Sequence, residues 1–116
     1  MRVLEGEQWL VRIFVGESDR WHGRPLVDAL VERLRKEGFA GATVLRGLAG
    51  YGARSVIHTT HLLALSQDLP LVIEVVDTEE HVSRLEPILD EMVADGLVTL
   101  EKVRVLRYKA GTPRAQ

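Results

Sequence analysis

No cysteine occurs anywhere in the 116 residues. That single absence removes disulfides, thiolate nucleophiles and cysteine-based zinc sites together. Asparagine is missing as well, and arginine far outnumbers lysine. Heat adaptation and genome base composition explain that pattern equally well. No apolar run reaches the roughly 18 residues a membrane-spanning helix needs. The opening stretch MRVLEGEQWL carries acid where a secretion signal carries base, and it lacks the long apolar core of one. A cytoplasmic protein, not itself inserted in a membrane, is the expectation. Basic excess is lacking too: the formal net charge is −2, whereas general nucleic-acid binding needs a basic footprint. Any anion site must therefore be local.

What is present suits one domain with one core, since 46% of residues are hydrophobic and 28% charged. Trp9 to Gly16 alternates, with Trp9, Val11, Ile13 and Val15 on one face and Leu10, Arg12 and Phe14 on the other, as a strand does. GESDRWHG reads as a long polar turn, and Pro25 stands where a first helical turn accepts proline. Leu26, Val27, Leu30, Val31 and Leu34 recur at helical spacing until Gly38 stops the helix. A second strand covers Ala42 to Gly47, and a long connection, 47–69, comes after it. Leu71 to Val76 is a β-branched run with the look of a strand buried on both faces. Asp77, with Glu80 three residues on, is expected to cap a second helix carrying Val82, Leu85, Leu89, Met92 and Val93 on one stripe. Pro87 should kink that helix or restart it near Ser83. Val98 to Tyr108 makes the last strand, leaving a core of 9–108 and a frayed tail, 109–116.

The order β-α-β-β-α-β predicts an α+β, ferredoxin-like sandwich: an antiparallel sheet, its first and third core strands central, both helices on one face. A conflict arises from the strands themselves. Leu10 and Phe14 oppose Val11 and Ile13, while Val72 and Val76 oppose Leu71, Ile73 and Val75. Helices on one side cannot cover both faces, and a bare apolar face of that size is rarely left to water. Other copies of the same chain are the simplest cover. Arg12 and Glu74 fall mid-sheet on that second face and are expected to pair there.

The segment LRGLAGYGARS, Leu45 to Ser55, holds the strongest chemical signal. Its glycines permit positive φ and leave backbone N–H groups uncovered, and Arg46 and Arg54 flank them, which suits a small anion. A turn that merely leaves the sheet sharply would look similar. Asp19, Arg20, Trp21, His22 and Arg24 form a second constellation: a ring to stack on, donors and an acid. A solvated loop is rich in the same residues, although it does not explain an exposed tryptophan, which equally suits a subunit interface. Arg104 and Arg107 on the last strand are placed to reach a phosphate across a subunit boundary, or simply to face water. His58 and His61, three apart, suggest a metal, but no third ligand lies nearby, and packing or partner contact explains them better. Glu79, Glu80, Glu86, Asp90 and Glu91 read as helix-dipole complement and solvated face. No nucleophile elbow, Walker loop, HExxH or paired inward carboxylates occurs, so no enzyme is expected.

The segments VRIFVGESDRWHGRPL, GATVLRGLAGYGARSVIHT, LPLVIEVVD and LVTLEKVRV, in this order and spacing, resemble a family of PII-like proteins classed as a domain of unknown function. That family is related to the nitrogen-regulatory PII signalling proteins and more distantly to CutA-type proteins. The resemblance implies a ferredoxin-like subunit in a homotrimer with inward-facing sheets. It also implies adenine nucleotides held between subunits, and a loop from the second strand that reaches partner proteins such as membrane transporters. Gly50, Tyr51 and Gly52 match the G-F-G turn at that loop's base, and Arg46 the basic residue ahead of it. The arginine that succeeds this turn in PII proteins is delayed here to Arg54, behind Ala53. The second phosphate loop is replaced by ADGLVTLEK, with Gly96 and Lys102 but no Gly-Asp-Gly-Lys. The triphosphate grip of PII is thus not expected, and a ligand with fewer phosphates, AMP or ADP, or another small anion, fits better.

The ligand-binding set expected on this reading is Arg46, Gly47, Gly50, Tyr51, Gly52, Arg54, Ser55, Trp21, His22, Arg24 and Arg104. The function expected is regulation of a partner protein by a trimeric sensor. The alternatives are a CutA-like trimer binding a divalent metal through His58 and His61, and a ligand-free assembly module.

Overall fold

The computed structural model describes residues 2–51 and 68–110. Strand β1 (Val3–Gly16) leads through a small hairpin, β2 (Arg20–Trp21) and β3 (Arg24–Pro25), into helix α1 (Leu26–Lys36). Strand β4 (Thr43–Arg46) and strand β5 (Pro70–Asp77) come next, then helices α2 (Glu79–Ser83) and α3 (Leu85–Met92), then strand β6 (Leu97–Lys109). The main sheet is antiparallel in the order β4-β5-β1-β6, so the first and third core strands are central, as expected.

The core lies between this sheet and the helices. Val11, Ile13 and Val15 of β1 and Leu71, Ile73 and Val75 of β5 are buried side by side. Leu26, Ala29, Leu30 and Leu34 of α1, spaced as one face of a helix, pack against them with Val82, Leu85, Ile88 and Met92. Each such large side chain contributes about 1.5–3 kcal/mol by leaving water. Helix α1 ends in a Schellman motif: Gly38 N–H donates to Arg35 O and Phe39 N–H to Leu34 O, both at 3.1 Å. Gly38 sits at φ +85°, which an L side chain resists.

Pro87 acts as predicted. Lacking an N–H, it cannot bond back to Ser83, and the helical stretch breaks at Arg84 into α2 and α3. The cap is different from the one expected. Thr78, not Asp77, is the N-cap, its hydroxyl accepting from His81 N–H at 3.2 Å. Asp77 is otherwise engaged, as the last residue of β5 and fully buried. Its carboxylate accepts from Arg2, from Ala40 N–H and from Thr78 N–H. Burial pushes this carboxyl up, but the Arg2 hydrogen bond and the two amides outweigh it and hold it below the ordinary aspartate value.

Two further elements depart from the sequence expectation. β1 starts six residues before Trp9, because the EGEQ stretch hides its alternation behind a bulge at Gly6 (φ +74°) where pairing with β6 shifts. GESDRWHG is not a loose turn but a tight hairpin, with His22 (φ +50°) and Gly23 (φ +78°) forming the two-residue loop.

The second sheet face is open in the protomer. Leu10, Phe14, Val72 and Val76 are half-buried there, with Leu45 and Leu97 exposed at the two rims. Arg12 pairs with Glu74 as predicted, Nε to Oε2 at 2.9 Å, and reaches Glu101 on β6 at 2.6 Å. These two hydrogen bonds raise the Arg12 pKa further.

Candidate functional site

The sheet topology gathers three sequence signals at one end. Where β1 finishes, β5 starts and β4 finishes, the glycine turn, the 16–25 insertion and the 94–97 turn lie together. Gly47 N–H donates to Pro70 O at 2.8 Å, which closes the β4–β5 ladder. A Cβ at Gly47 would stand 3.0 Å from the Pro70 ring and one at Gly50 3.1 Å, with Gly50 at φ +150°. Both glycines thus serve close approach to Pro70. Leu48 and Tyr51, 66% and 70% exposed, project outward beside them.

Arg46 ends the strand that leads into this turn and places its Nη2 at 2.9 Å from Glu17 Oε1. Glu17 begins a turn that is tied to the entry of β5. Its N–H donates to Leu69 O at 2.9 Å, and Ser18 N–H donates to Asp68 Oδ1 at 3.1 Å. Asp19 accepts from Gly16 N–H at 2.9 Å through Oδ2, and its carbonyl accepts from Leu26 N–H at 2.8 Å, where α1 begins. The carboxylates of Asp19 and Asp68 both lean over Gly16, where a Cβ would lie 3.2 and 2.9 Å from them. A side chain at that position would push these carboxylates off the amides of Ser18 and Gly16 that they hold.

From this turn the hairpin projects. Trp21 packs against the core and stacks on His22, ring centroids 3.7 Å apart and planes within 12°. Arg20 closes the hairpin by donating to Gly23 O at 2.7 Å. Arg24 turns away onto Glu32 of α1 at 2.9 Å. Beneath Trp21 lies a cleft of about 310 Å³ bounded by Asp19, Arg20, Leu26, Asp90, Met92 and Asp95. Its acidic rim is a poor match for phosphate within one protomer. Positive charge at this end comes from Arg46, with Arg20 and Arg24 of the hairpin turned to Gly23 O and Glu32.

Of the expected ligand set, Arg46, Gly47, Gly50 and Tyr51 lie with the base of the Trp21–His22 hairpin at this end of the sheet. Arg104 does not: it pairs with Glu7 across β1, seven positions along β6 from Leu97, or about 23 Å at strand rise. Gly52, Arg54, Ser55, His58 and His61 lie outside the described residues. Among the described residues no group of three or more His, Asp or Glu is placed to hold a metal ion. Sequence reasoning missed Glu17 and Asp68. Single acids in turns carry no motif, and only the β1–β5 and β4–β5 pairings bring them to Arg46 and Ser18. No helix among the described residues is long and apolar enough to cross a membrane.

Known proteins share this arrangement of strands and helices. The chain is 41% identical over 108 residues to a UPF0166 protein of Aquifex aeolicus, covering 91% of this chain and 98% of that one. It is 36% identical over 104 residues to a UPF0166 protein of Methanocaldococcus jannaschii, covering 89% and 94%. Among solved structures, a PII-like signaling protein from Thermus thermophilus matches with a TM-score of 0.62 at 21% identity, covering 91% of this chain and 94% of that one. CPII from Thiomonas intermedia, a nitrogen regulatory PII-like protein bound to ADP, AMP and bicarbonate, matches with a TM-score of 0.62 at 15% identity, covering 90% and 99%. At those identities the likeness establishes the fold, which is the PII-like, ferredoxin-like one. These relatives are described as uncharacterised or as PII-like, and none of them as an enzyme. The family model for uncharacterised ACR proteins, DUF190, matches residues 8–105, most of the sheet and all of the helices. The chain belongs to the DUF190 (UPF0166) family.

Proposed function

We propose that this protein is a PII-like regulatory protein that binds AMP, ADP or a similar small anion between subunits of a homotrimer and thereby modulates a partner protein. The observation that carries this reading is the convergence of Arg46, the Pro70-backed glycine turn and the base of the Trp21 hairpin at one end of the sheet. CPII, which has the same fold, has been solved with ADP and AMP bound. Arg46 supplies charge for a phosphate, and the exposed Tyr51 a ring face for a base, while Trp21, stacked on His22, backs the hairpin. Gly50 and Gly52 add backbone donors from the turn, and Arg54 and Ser55 add side-chain donors just beyond it. Arg104 belongs to the site only if a neighbouring copy brings it there, which suits a cleft between subunits. The connection leaving Gly47 carries the signal to a partner such as a transporter, through the ligand's preference for one of its states.

The trimer draws support from the open sheet face. Apolar side chains flank an ion ladder in which Arg12 is paired with both Glu74 and Glu101 within the protomer, so a second copy can cover the face without having to supply a partner for Arg12. Light scattering at physiological ionic strength should return three times the protomer mass. Calorimetric titration with AMP, ADP and ATP should give binding by the mono- or diphosphate. Silence from all three, with the trimer intact, overturns the nucleotide reading.

A further inference from the structure

The side chain of Glu17 is placed by its surroundings rather than needed by them. The backbone of Glu17 already bonds to Leu69, and the neighbouring Ser18 and Asp19 are held by Asp68 and Gly16. With the backbone held there, the carboxylate reaches Arg46. A carboxylate presents the same oxygen geometry to a guanidinium that a phosphate does. The oxygen at 2.9 Å from Arg46 Nη2 therefore stands where an incoming anion would stand.

We infer that Glu17 is an internal competitor for the anion site: it holds the Arg46 guanidinium in the ligand-free protein and must be displaced when a phosphorylated ligand binds. This rests on the reading that the anion is received at Arg46. Two properties result. First, the site discriminates by charge. A monocarboxylate such as acetate offers Arg46 nothing that Glu17 does not already give, whereas a phosphoryl group at neutral pH brings up to two charges and three acceptor oxygens. Second, the displaced Glu17 must turn out to water, because Asp19 and Asp68 flank the same turn with like charge. Both effects lower affinity and favour ligands that carry phosphate.

The pair is exposed enough, 55% for Arg46 and 32% for Glu17, that its rupture is a modest cost. Removing the competitor should tighten binding by about 2–5-fold, the range spanned by exposed ion pairs. The experiment titrates ADP, inorganic phosphate and acetate, each by calorimetry, into wild type, Glu17→Gln, Glu17→Asp and Arg46→Ala, with thermal melts to confirm that every variant folds. Glu17→Gln removes the charge. Glu17→Asp keeps it but is one methylene too short to hold Arg46. The expected result is tighter binding of ADP and phosphate in both Glu17 variants, no acetate binding by wild type, and weaker binding in Arg46→Ala.

If only Glu17→Gln tightens, its charge acts at long range and direct competition is overturned. Unchanged or weakened binding in both Glu17 variants, with Arg46→Ala still impaired, overturns the competitor while sparing the site. Unimpaired Arg46→Ala, or silence from all four proteins, overturns the site and the competitor together.

Discussion

Strand β5 begins among exposed charges and ends among buried ones, and its two ends obey different rules. At its start, Asp68 and the neighbouring Glu17–Arg46 pair sit at the surface, where a guanidinium can trade one oxygen partner for another at small cost. At its finish, Asp77 is wholly buried and accepts four hydrogen bonds, two from Arg2 and one each from the amides of Ala40 and Thr78. Arg2 also donates to Gly38 O, and its Nη2 lies 3.3 Å from His81 Nδ1, so one knot ties β1, the end of α1, β5 and α2 together. A charge in that setting cannot be exchanged without leaving its partners unpaired. The comparison separates charges that hold the fold from charges able to serve a ligand.

The hardest test of that separation is Asp77→Ala. It should cost about 3 kcal/mol, lowering the melting temperature by about 10 °C or more, because Arg2 and two part-buried amides lose their acceptor. A melt within a few degrees of wild type would erase the contrast. The same knot sets an acid limit. Asp77 is held below the ordinary value of 3.8, so its stabilisation is full above that pH and is lost as pH falls through the lower folded value. Acid unfolding followed by circular dichroism should thus steepen below about pH 4 in wild type, and flatten in Asp77→Asn.

At the open end the effects shrink. Gly50→Ala should cost about 1–2 kcal/mol through its positive φ and the Pro70 contact, read as a lower urea midpoint with an unchanged slope. Glu17→Gln should leave the melting temperature within about 2 °C of wild type while changing ligand affinity. The smallest effect belongs to Arg24→Ala, which removes a pair with Glu32 that is about half exposed on both sides. No change in either melt or binding is expected, and a loss of ADP affinity would move Arg24 into the site.

The main sheet was legible because burial writes itself as periodicity. Val11, Ile13 and Val15 alternate, Leu26, Leu30 and Leu34 step round a helix, and Pro87 announces the α2–α3 break. Arg12 and Glu74 could be matched in advance, since two-faced strands in known order fix which residues meet across a ladder. The errors fall where a residue's partner is remote. Asp77 has the look of a cap until Arg2, 75 positions away, claims its carboxylate. The His22–Gly23 hairpin is hidden in a polar segment with no flanking alternation, although a residue followed by glycine is the signal for such a loop. The site is legible only at its glycines and arginines. Glu17 and Asp68 acquire meaning from strand pairing, which no local pattern encodes.

Placing β1 between β5 and β6 has a consequence for how the chain comes to be folded. β1 ends at Gly16, yet its neighbours begin at Pro70 and Leu97. On a ribosome adding about 5–20 residues each second, β1 waits several seconds for its first partner and longer for its second. During that interval Leu10, Val11, Ile13, Phe14 and Val15 have no sheet to join. Loop closure across such separations makes the search slow as well. Arg12, set mid-strand between Val11 and Ile13, then serves a purpose before it has any ion partner: it interrupts an apolar stretch that would otherwise invite association with other nascent chains.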